Sequence, residues 1–241
     1  QRFSDLTIER PRLVRPVCGS NDRELMPGLF ITFEGTEGSG KSTQITLLAE
    51  RLRALGRAVR TLREPGGTPI GEEIRHTLKH SKVNDAMTWE AELLLMNASR
   101  AQLVREVIRP ALAAGEIVVC DRFYDSTTPN QGYGRQLDLE MVRRVIDVAV
   151  GKTRPDLTLL LQVSPEVSEE RLRSRQATMP FLRDRMEEAD CAFIDRVAAG
   201  YAALAAAEPQ RVKVFDANGS VEQVRAAIWQ TVAPLVALGT R

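Results

Sequence analysis

The sequence predicts an α/β fold, a five-stranded parallel sheet flanked by helices on both faces. Short apolar runs recur along the 241 residues, and a segment with helical periodicity follows each run. The runs lack polar alternation, which is typical of parallel strands buried on both faces. Such a sheet needs a layer of helices on either side, and its ligands bind at the carboxyl ends of the strands.

The individual elements can be placed in order from residue 29. The predicted strands are residues 29–34, 58–63, 116–120, 157–163 and 211–215. The predicted helices are residues 69–79, 89–114, 137–150, 164–175, 187–208 and 221–238, preceded by a first helix that begins near residue 41 and ends at residue 55. Gly56 and Gly115 follow two of these helices and are typical helix ends.

The N-terminal segment and the remainder of the chain are expected to differ in how well they are folded. Residues 1–27 are polar, contain Arg and Pro, and show no sustained periodicity, which predicts a flexible N-terminal extension. No internal repeat or linker divides the remainder, and residues 28–241 are predicted to form a single domain.

The overall composition is that of an ordinary globular protein, with 43% hydrophobic and 27% charged residues. A net charge of +1 does not favour a nucleic-acid-binding surface, and no apolar run approaches the roughly 18 residues of a membrane span. Cys18, Cys120 and Cys191 are scattered, without metal-ligand spacing. Cysteines of this kind are typical of reduced thiols, which predicts a cytoplasmic protein. The net charge and the lack of a long apolar run predict that it has no nucleic-acid or membrane partner.

The most informative segment joins the first strand to the first helix. It consists of Gly35, Thr36, Glu37, Gly38, Ser39, Gly40, Lys41, Ser42 and Thr43, and it matches the phosphate-binding P-loop pattern G-x-x-x-x-G-K-[ST]. Glycines let backbone N–H groups point at phosphate oxygens, and the following helix adds the positive end of its dipole. Lys41 is expected to reach the β- and γ-phosphates, and the Ser42 hydroxyl is expected to bind Mg²⁺. The sequence therefore predicts a P-loop NTPase-type fold that binds a nucleoside triphosphate.

Two further strand ends carry residues that suit phosphate chemistry. Asp121 and Arg122 come at the end of the third strand, where an Asp can hold magnesium through water and an Arg can bind a phosphate with two hydrogen bonds. Arg63 ends the second strand, before the fixed turn made by Pro65 and two glycines. Because these strand ends meet at one edge of the sheet, Arg63 could bind a second anion near the P-loop.

A segment rich in arginine lies between residues 171 and 185 and lacks apolar periodicity. It could be a solvated surface, but phosphoryl transfer suggests a more specific use. Arginines on a closing loop stabilise the charge that spreads over the transferred group, and closure keeps water away from it. We therefore predict an arginine-containing lid.

The order and spacing of these motifs resemble those of bacterial thymidylate kinases, a family of P-loop nucleoside monophosphate kinases. The matching segments are the P-loop and residues 63–68, 70–75, 92–102, 121–122, 131–132 and 184–187. The resemblance implies transfer of the γ-phosphoryl group of ATP to dTMP, giving dTDP for dTTP synthesis. It also implies Mg²⁺ as the metal ion and a homodimer packed through helices.

The resemblance further implies roles for individual residues on the acceptor side. Arg122 would hold the dTMP phosphate with help from Arg63, and Asp121 would work near the metal. Glu37 would meet the sugar 3′-hydroxyl. The acceptor pocket would also contain Pro65 after a cis peptide bond, Arg75, Met96, Arg100 at the thymine edge, Thr127, Asn130 and Gln131.

The resemblance also bears on the arginine that stabilises the transition state. The P-loop has Gly38 rather than an arginine, so this group is expected to come from the lid, as in the bacterial subtype. The candidates are Arg173, Arg175, Arg183 and Arg185.

Two departures from the family pattern leave alternatives open. Met96 replaces a phenylalanine that stacks on thymine, and Asn130 replaces a tyrosine that crowds a ribose 2′-hydroxyl. A kinase for another pyrimidine nucleoside monophosphate, such as dUMP or UMP, therefore stays open. A P-loop ATPase or switch protein without a small-molecule acceptor is a further alternative, which the clustered Arg63, Arg100 and Arg122 argue against.

Overall fold

The computed structural model describes residues 28–81, 84–178 and 191–238, so the expected extension of residues 1–27 lies outside the described residues. The strands are β1 (Leu29–Glu34), β2 (Val59–Arg63), β3 (Ile117–Asp121), β4 (Leu157–Gln162) and β5 (Val212–Asp216). The α-helices are α1 (Lys41–Ala54), α2 (Pro69–Lys79), α3 (Trp89–Leu103), α4 (Arg109–Ala113), α5 (Leu139–Val150), α6 (Pro165–Thr178), α7 (Cys191–Ala207) and α8 (Val221–Leu238). Within the described ranges, no helix is long and apolar enough to cross a membrane.

The five strands form one parallel sheet in the order β2-β3-β1-β4-β5, which confirms the predicted fold class. β1 lies at the centre, between β3 and β4. Phe33 lies opposite both Asp121 and Leu159 in the register, and Arg63 also lies opposite Asp121. The carboxyl ends of β1, β2 and β3 therefore meet at one edge of the sheet.

Helices cover both faces of the sheet with separate hydrophobic clusters. On one face, Leu52 of α1 and Val232 of α8 cluster with Phe33. On the other face, Leu103 of α3 and residues of α4 and α5 cluster with Phe30. Phe30 and Phe33 are both fully buried, because alternate side chains of a strand point to opposite faces of a sheet that is covered twice.

The helix predicted over residues 89–114 is present from Trp89 to Ala113, but its hydrogen bonding is not α-helical throughout. A π-helical stretch, Val104–Ile108, separates α3 from α4. Pro110 follows this stretch and has no N–H group to donate to the preceding turn. Local widening of the helix is a common way to accommodate such a residue.

The connection between β3 and α5 contains a second π-helical stretch, Thr128–Gly134, that no sequence pattern indicates. α7 packs very closely on this stretch. A Cβ atom on Gly200 of α7 would lie only 2.8 Å from Pro129 Cα. The close approach brings one face of α7 to the carboxyl edge of the sheet.

Candidate active site

The P-loop follows β1 directly and has the conformation that its glycines allow. Gly35, Gly38 and Gly40 have φ angles of 134°, 71° and 91°. A Cβ atom on Gly35 would also lie 2.2 Å from the Leu161 carbonyl oxygen. α1 begins at Lys41, so the N–H groups of its first turn point into the loop, where they suit an anion.

The side chain of Lys41 is folded back into the P-loop. Its Nζ donates hydrogen bonds to Gly35 O at 3.1 Å and to Thr36 O at 2.8 Å. Burial, together with the nearby Arg122, lowers the pKa of Lys41 to about 8. A phosphate bound in the loop would offer this buried ammonium the anionic partner that neutral carbonyls do not provide.

The two predicted metal-binding residues lie side by side. Ser42 Oγ, in the first turn of α1, donates to Asp121 Oδ2 at 3.3 Å. Asp121 is the last residue of β3, whereas the sequence predicts that the strand ends one residue earlier, at Cys120. Hydroxyl and carboxylate oxygens are the kind of ligand that Mg²⁺ prefers, so this pair fits a magnesium ion beside the P-loop.

Arg122 turns away from β3 toward the P-loop. Its φ of 67° lies in the left-handed region, and its backbone N–H donates to Phe33 O at 2.9 Å. Its Nη2 donates to Glu37 Oε1 at 2.7 Å. Burial alone would raise the pKa of Glu37, but Arg122 and Lys41 outweigh it and hold that pKa below its ordinary value. The P-loop carboxylate and the predicted phosphate-binding arginine are therefore already paired.

A buried carboxylate, Glu34, organises the same region. It accepts hydrogen bonds from the Phe123 N–H at 2.8 Å, from Ser126 Oγ at 2.5 Å and from Tyr201 OH at 3.1 Å. Burial raises the pKa of Glu34 to about 7, although Arg122 acts in the opposite direction. The sequence does carry a signal for this residue, because Glu34 is the one charged residue of β1 and stands at its carboxyl end.

A pocket beside the P-loop collects most of the predicted acceptor residues. The predicted residues that line it are Glu37, Pro65, Met96, Arg100, Arg122, Thr127, Asn130 and Gln131. Other lining residues include Glu64, Lys79, Ser126, Ser168, Leu172, Phe193, Ile194, Val197 and Tyr201. The pocket thus joins polar groups near β3 and α3 to an apolar wall from α7.

Arg100 is buried against this pocket and held by several partners. Its Nε donates to Glu64 Oε2 at 2.8 Å, and its Nη2 donates to Phe123 O at 3.2 Å. Its Nη1 donates to Asn97 Oδ1 at 2.8 Å and to Thr127 Oγ1 at 2.9 Å. Burial raises the pKa of Glu64 to about 7, and Arg100 offsets part of that effect. The guanidinium therefore has a fixed orientation before any ligand binds.

The amide side chains of the pocket are also oriented by neighbours. Gln131 Nε2 donates to Glu92 Oε1 at 2.9 Å, and Asn130 Nδ2 donates to Ser126 O at 2.7 Å. Their carbonyl oxygens can accept hydrogen bonds from a ligand. The Glu64–Pro65 peptide bond is cis, as the resemblance implies.

Two predicted arginines do not line the pocket. Arg63 is about half exposed, and its Nη2 pairs with both carboxylate oxygens of Glu72, at 3.1 and 2.9 Å. Arg75 Nη1 donates to Pro65 O at 2.9 Å. Arg63 thus pairs with a residue outside the pocket, whereas Arg75 contacts the backbone of Pro65, which lines it.

The predicted lid is described only in its first part. Arg173 is exposed on α6, and its Nη2 pairs with Glu169 Oε1 at 2.6 Å. The side chain of Arg175 lies outside the described residues, and so do Arg183 and Arg185.

Comparison with known proteins decides the family. The family model described as thymidylate kinase matches residues 33–228. The chain belongs to the thymidylate kinase family. It is therefore an enzyme, a kinase that binds nucleotides and takes its phosphoryl group from ATP.

Individual thymidylate kinases agree with this assignment. The enzyme of Syntrophotalea carbinolica is 50% identical over 205 residues, which are 85% of this chain and 94% of the relative. That of Synechococcus sp. strain JA-3-3Ab is 50% identical over 206 residues, 86% of this chain and 96% of the relative. The crystal structure of thymidylate kinase from Ehrlichia chaffeensis matches with a TM-score of 0.68 at 30% identity, covering 86% of this chain and 99% of that chain. These matches give no support to a switch protein or to a kinase for another nucleotide.

No sequence motif marks the wall of the pocket that α7 forms. Phe193, Val197 and Tyr201 are spaced four residues apart and lie on one face of the helix. From sequence, such a stripe indicates core packing, and the three residues do cluster with Leu160 of β4. Lys79, in the last turn of α2, lines the pocket too, and no motif points to it.

Proposed function

We propose that this chain phosphorylates dTMP to dTDP, with ATP as the donor and Mg²⁺ as the metal ion. The observation that carries the proposal is the position of Arg122, which lines the acceptor pocket and touches the P-loop residue Glu37. An anion bound by Arg122 would lie close to the γ-phosphate of a nucleotide held by Lys41. Phosphoryl transfer depends on such proximity, because positioning supplies much of its rate acceleration.

On the donor side, the P-loop N–H groups and Lys41 would hold the β- and γ-phosphates of ATP. Lys41 Nζ would exchange its hydrogen bonds to Gly35 O and Thr36 O for bonds to phosphate oxygens. Ser42 and Asp121 would hold Mg²⁺, which when bound neutralises part of the phosphate charge. The P-loop, Lys41, Ser42 and Asp121 would thus orient the donor.

On the acceptor side, Arg122 would bind the dTMP phosphate through its guanidinium N–H groups. Glu37, the present partner of Nη2, would then accept a hydrogen bond from the sugar 3′-hydroxyl. Arg63 and Arg75 would assist only after leaving their present partners, Glu72 and Pro65 O. The phosphate and the sugar would therefore be bound by two residues that already contact each other.

At the base, Arg100, Thr127 and Gln131 would contact the thymine edge. Arg100 is fixed by its hydrogen bonds to the protein, and the Gln131 amide is oriented by Glu92. Polar groups held in this way lose little conformational freedom when a ligand binds. Met96 would cover the face of the base, since a thioether packs favourably against an aromatic ring.

We assign the transition-state arginine to the lid, among Arg173, Arg175, Arg183 and Arg185. The contacts of α6 support this assignment. Ser168 Oγ donates to Glu37 O at 2.8 Å, and Arg171 Nη1 donates to Gly38 O at 3.3 Å. The segment that carries these arginines therefore starts in contact with the P-loop, from where a guanidinium could reach the transferred phosphoryl group.

We also propose that the enzyme acts as a homodimer packed through helices. Val148 on α5 is 88% exposed and Leu94 on α3 is 58% exposed. The two helices pack beside each other, and exposed apolar side chains on adjacent helices are typical of an interface. A cytoplasmic location stays a prediction.

The test of the reaction is ADP release from ATP and Mg²⁺ with dTMP, dUMP, UMP, CMP, AMP and GMP offered separately. We expect strong stimulation by dTMP and little ADP without an acceptor. A preference for dUMP or UMP would keep the chemistry but contradict the thymine assignment. ADP release that is the same with and without acceptors would contradict the kinase proposal.

A further inference from the structure

The hydroxyl of Tyr201 has no part in the proposed steps, yet it lies beside the acceptor arginine. Tyr201 lines the pocket from α7 and is only 2% exposed. Its hydroxyl is 3.1 Å from Glu34 Oε2, 3.3 Å from Arg122 Nη1 and 3.3 Å from Ser126 Oγ. One hydroxyl thus touches a buried carboxylate, a guanidinium and a second hydroxyl.

The direction of these hydrogen bonds follows from the chemistry of the groups. A guanidinium can only donate, so Arg122 Nη1 donates to the Tyr201 oxygen. Tyr201 has a single hydroxyl proton, which it donates to Glu34. The Tyr201 hydroxyl therefore accepts from Arg122 while its own proton is bound by Glu34, so its oxygen is fixed where it can hold Nη1.

A second hydroxyl repeats this arrangement. Arg122 Nη1 also donates to Ser126 Oγ at 3.2 Å, and Ser126 Oγ in turn donates to Glu34 Oε2. The cation and the carboxylate are thus joined by two parallel hydroxyl bridges. Nη1 is held on the side of α7, while Nη2 faces Glu37 of the P-loop.

We propose that Tyr201 is a positioning residue that holds the Arg122 guanidinium in the orientation required to bind the acceptor phosphate. The proposal rests on the proposed role of Arg122. A long arginine side chain loses conformational entropy when a ligand fixes it. If the protein fixes the Arg122 side chain beforehand, less conformational entropy is lost on binding and the ligand binds more tightly. Only ligands that carry the phosphate gain this affinity, because only they contact the guanidinium.

A purely structural role for Tyr201 makes a different prediction. Its ring clusters with Phe193 of α7 and with Leu160 and Val212 of the sheet, so the residue also contributes to packing. Tyr201→Phe keeps the ring and removes only the hydroxyl. A positioning role predicts a loss that appears with dTMP and is absent with thymidine, which lacks the phosphate.

The experiment is calorimetry of the full chain with dTMP, thymidine and ATP, each offered alone, combined with steady-state kinetics. In Tyr201→Phe we expect dTMP to bind about three- to tenfold more weakly, as befits the loss of one hydrogen bond to a charged group. The KM for dTMP should rise by a similar factor, and the affinities for thymidine and ATP should stay unchanged. Ser126→Ala, which removes the other bridge, should behave in the same way.

Tyr133→Phe is the matched control, because Tyr133 also packs against α7, next to Gly200. It should bind all three ligands as the wild type does. Equal losses for dTMP and thymidine in Tyr201→Phe, or no loss at all, would overturn the positioning role. Arg122→Ala in the same assay separates the phosphate-binding role of Arg122 from the positioning role of Tyr201. Wild-type dTMP affinity in that variant would remove Arg122 from the phosphate site and overturn both proposals, whereas a large loss there with a normal Tyr201→Phe would overturn only this one.

Discussion

Ser42 Oγ lies 3.3 Å from Asp121 Oδ2, although the two residues are 79 positions apart in the chain. Ser42 stands in the first turn of α1 and Asp121 ends β3, so the contact depends on the parallel pairing of β1 and β3. Two oxygen atoms from neighbouring elements beside the P-loop suit a hard divalent cation. Disturbing this pair should change metal dependence rather than folding.

Asp121→Asn should raise the Mg²⁺ concentration needed for half-maximal activity by about tenfold or more, because the carboxylate charge is lost while the shape is kept. A Mg²⁺ titration at saturating ATP and dTMP measures this. Asp147→Asn on α5, where Asp147 pairs with Arg154, is the control and should titrate as the wild type does. If Asp121→Asn also keeps the wild-type Mg²⁺ dependence, Asp121 has no role at the metal.

Lys41→Met should lower kcat by about a hundredfold or more, since one preorganised donor to the transferred phosphates is removed. The melting temperature should not fall, because within the described residues the hydrogen bonds of Nζ go to groups of the P-loop itself, and burial is unfavourable for an ammonium. Lys152→Met, in the turn after α5, is the control. Near-normal turnover in Lys41→Met would refute the donor-site assignment.

Glu34 should make folding stability depend on pH. Burial raises its pKa from 4.5 to about 7, while the charge of Arg122 acts to lower it and that of Asp125 to raise it. Between these pH values the folded protein keeps a proton that the unfolded chain has released. The stabilisation is therefore complete below pH 4.5 and is lost as the pH rises through about 7. A shift of this size corresponds to at most about 3 kcal/mol.

Urea denaturation from pH 5 to pH 8 tests this pH dependence. In Glu34→Gln, the decrease in unfolding free energy with rising pH should be smaller than in the wild type, because the titrating group is gone. Glu50→Gln on the exposed face of α1 should keep the wild-type slope. Identical slopes in wild type and Glu34→Gln would show that Glu34 is already ionised throughout this range.

Glu64→Ala should reduce the free energy of unfolding by about 3–5 kcal/mol, because it leaves the buried Arg100 guanidinium without its carboxylate. The exposed pair formed by Glu140 and Arg143 provides the comparison. Glu140→Ala should change stability far less, because solvent screens an exposed ion pair. Equal effects of the two substitutions, measured by chemical denaturation, would mean that burial of the Glu64–Arg100 pair has no energetic consequence.

Prediction from sequence succeeded where the relevant residues are consecutive. The strand, glycine loop and helix around Lys41 have the expected conformation, and α1 begins at Lys41. Hydrophobic periodicity is likewise a local property, so it located the strands and most helices to within a few residues. It did not reveal the widening at Val104–Ile108, because an apolar pattern cannot distinguish α-helical from π-helical hydrogen bonding.

The sequence by itself determined the family, the parallel sheet and the P-loop, since a P-loop is built from neighbouring residues whose geometry is local. Only the tertiary structure decided how the pocket beside the P-loop is assembled. Glu34 and Tyr201 share a hydrogen bond across 167 positions, and Arg63 pairs with Glu72 instead of lining the pocket. Such contacts depend on strand order and on the packing of α7 against Thr128–Gly134, which no local pattern of residues encodes.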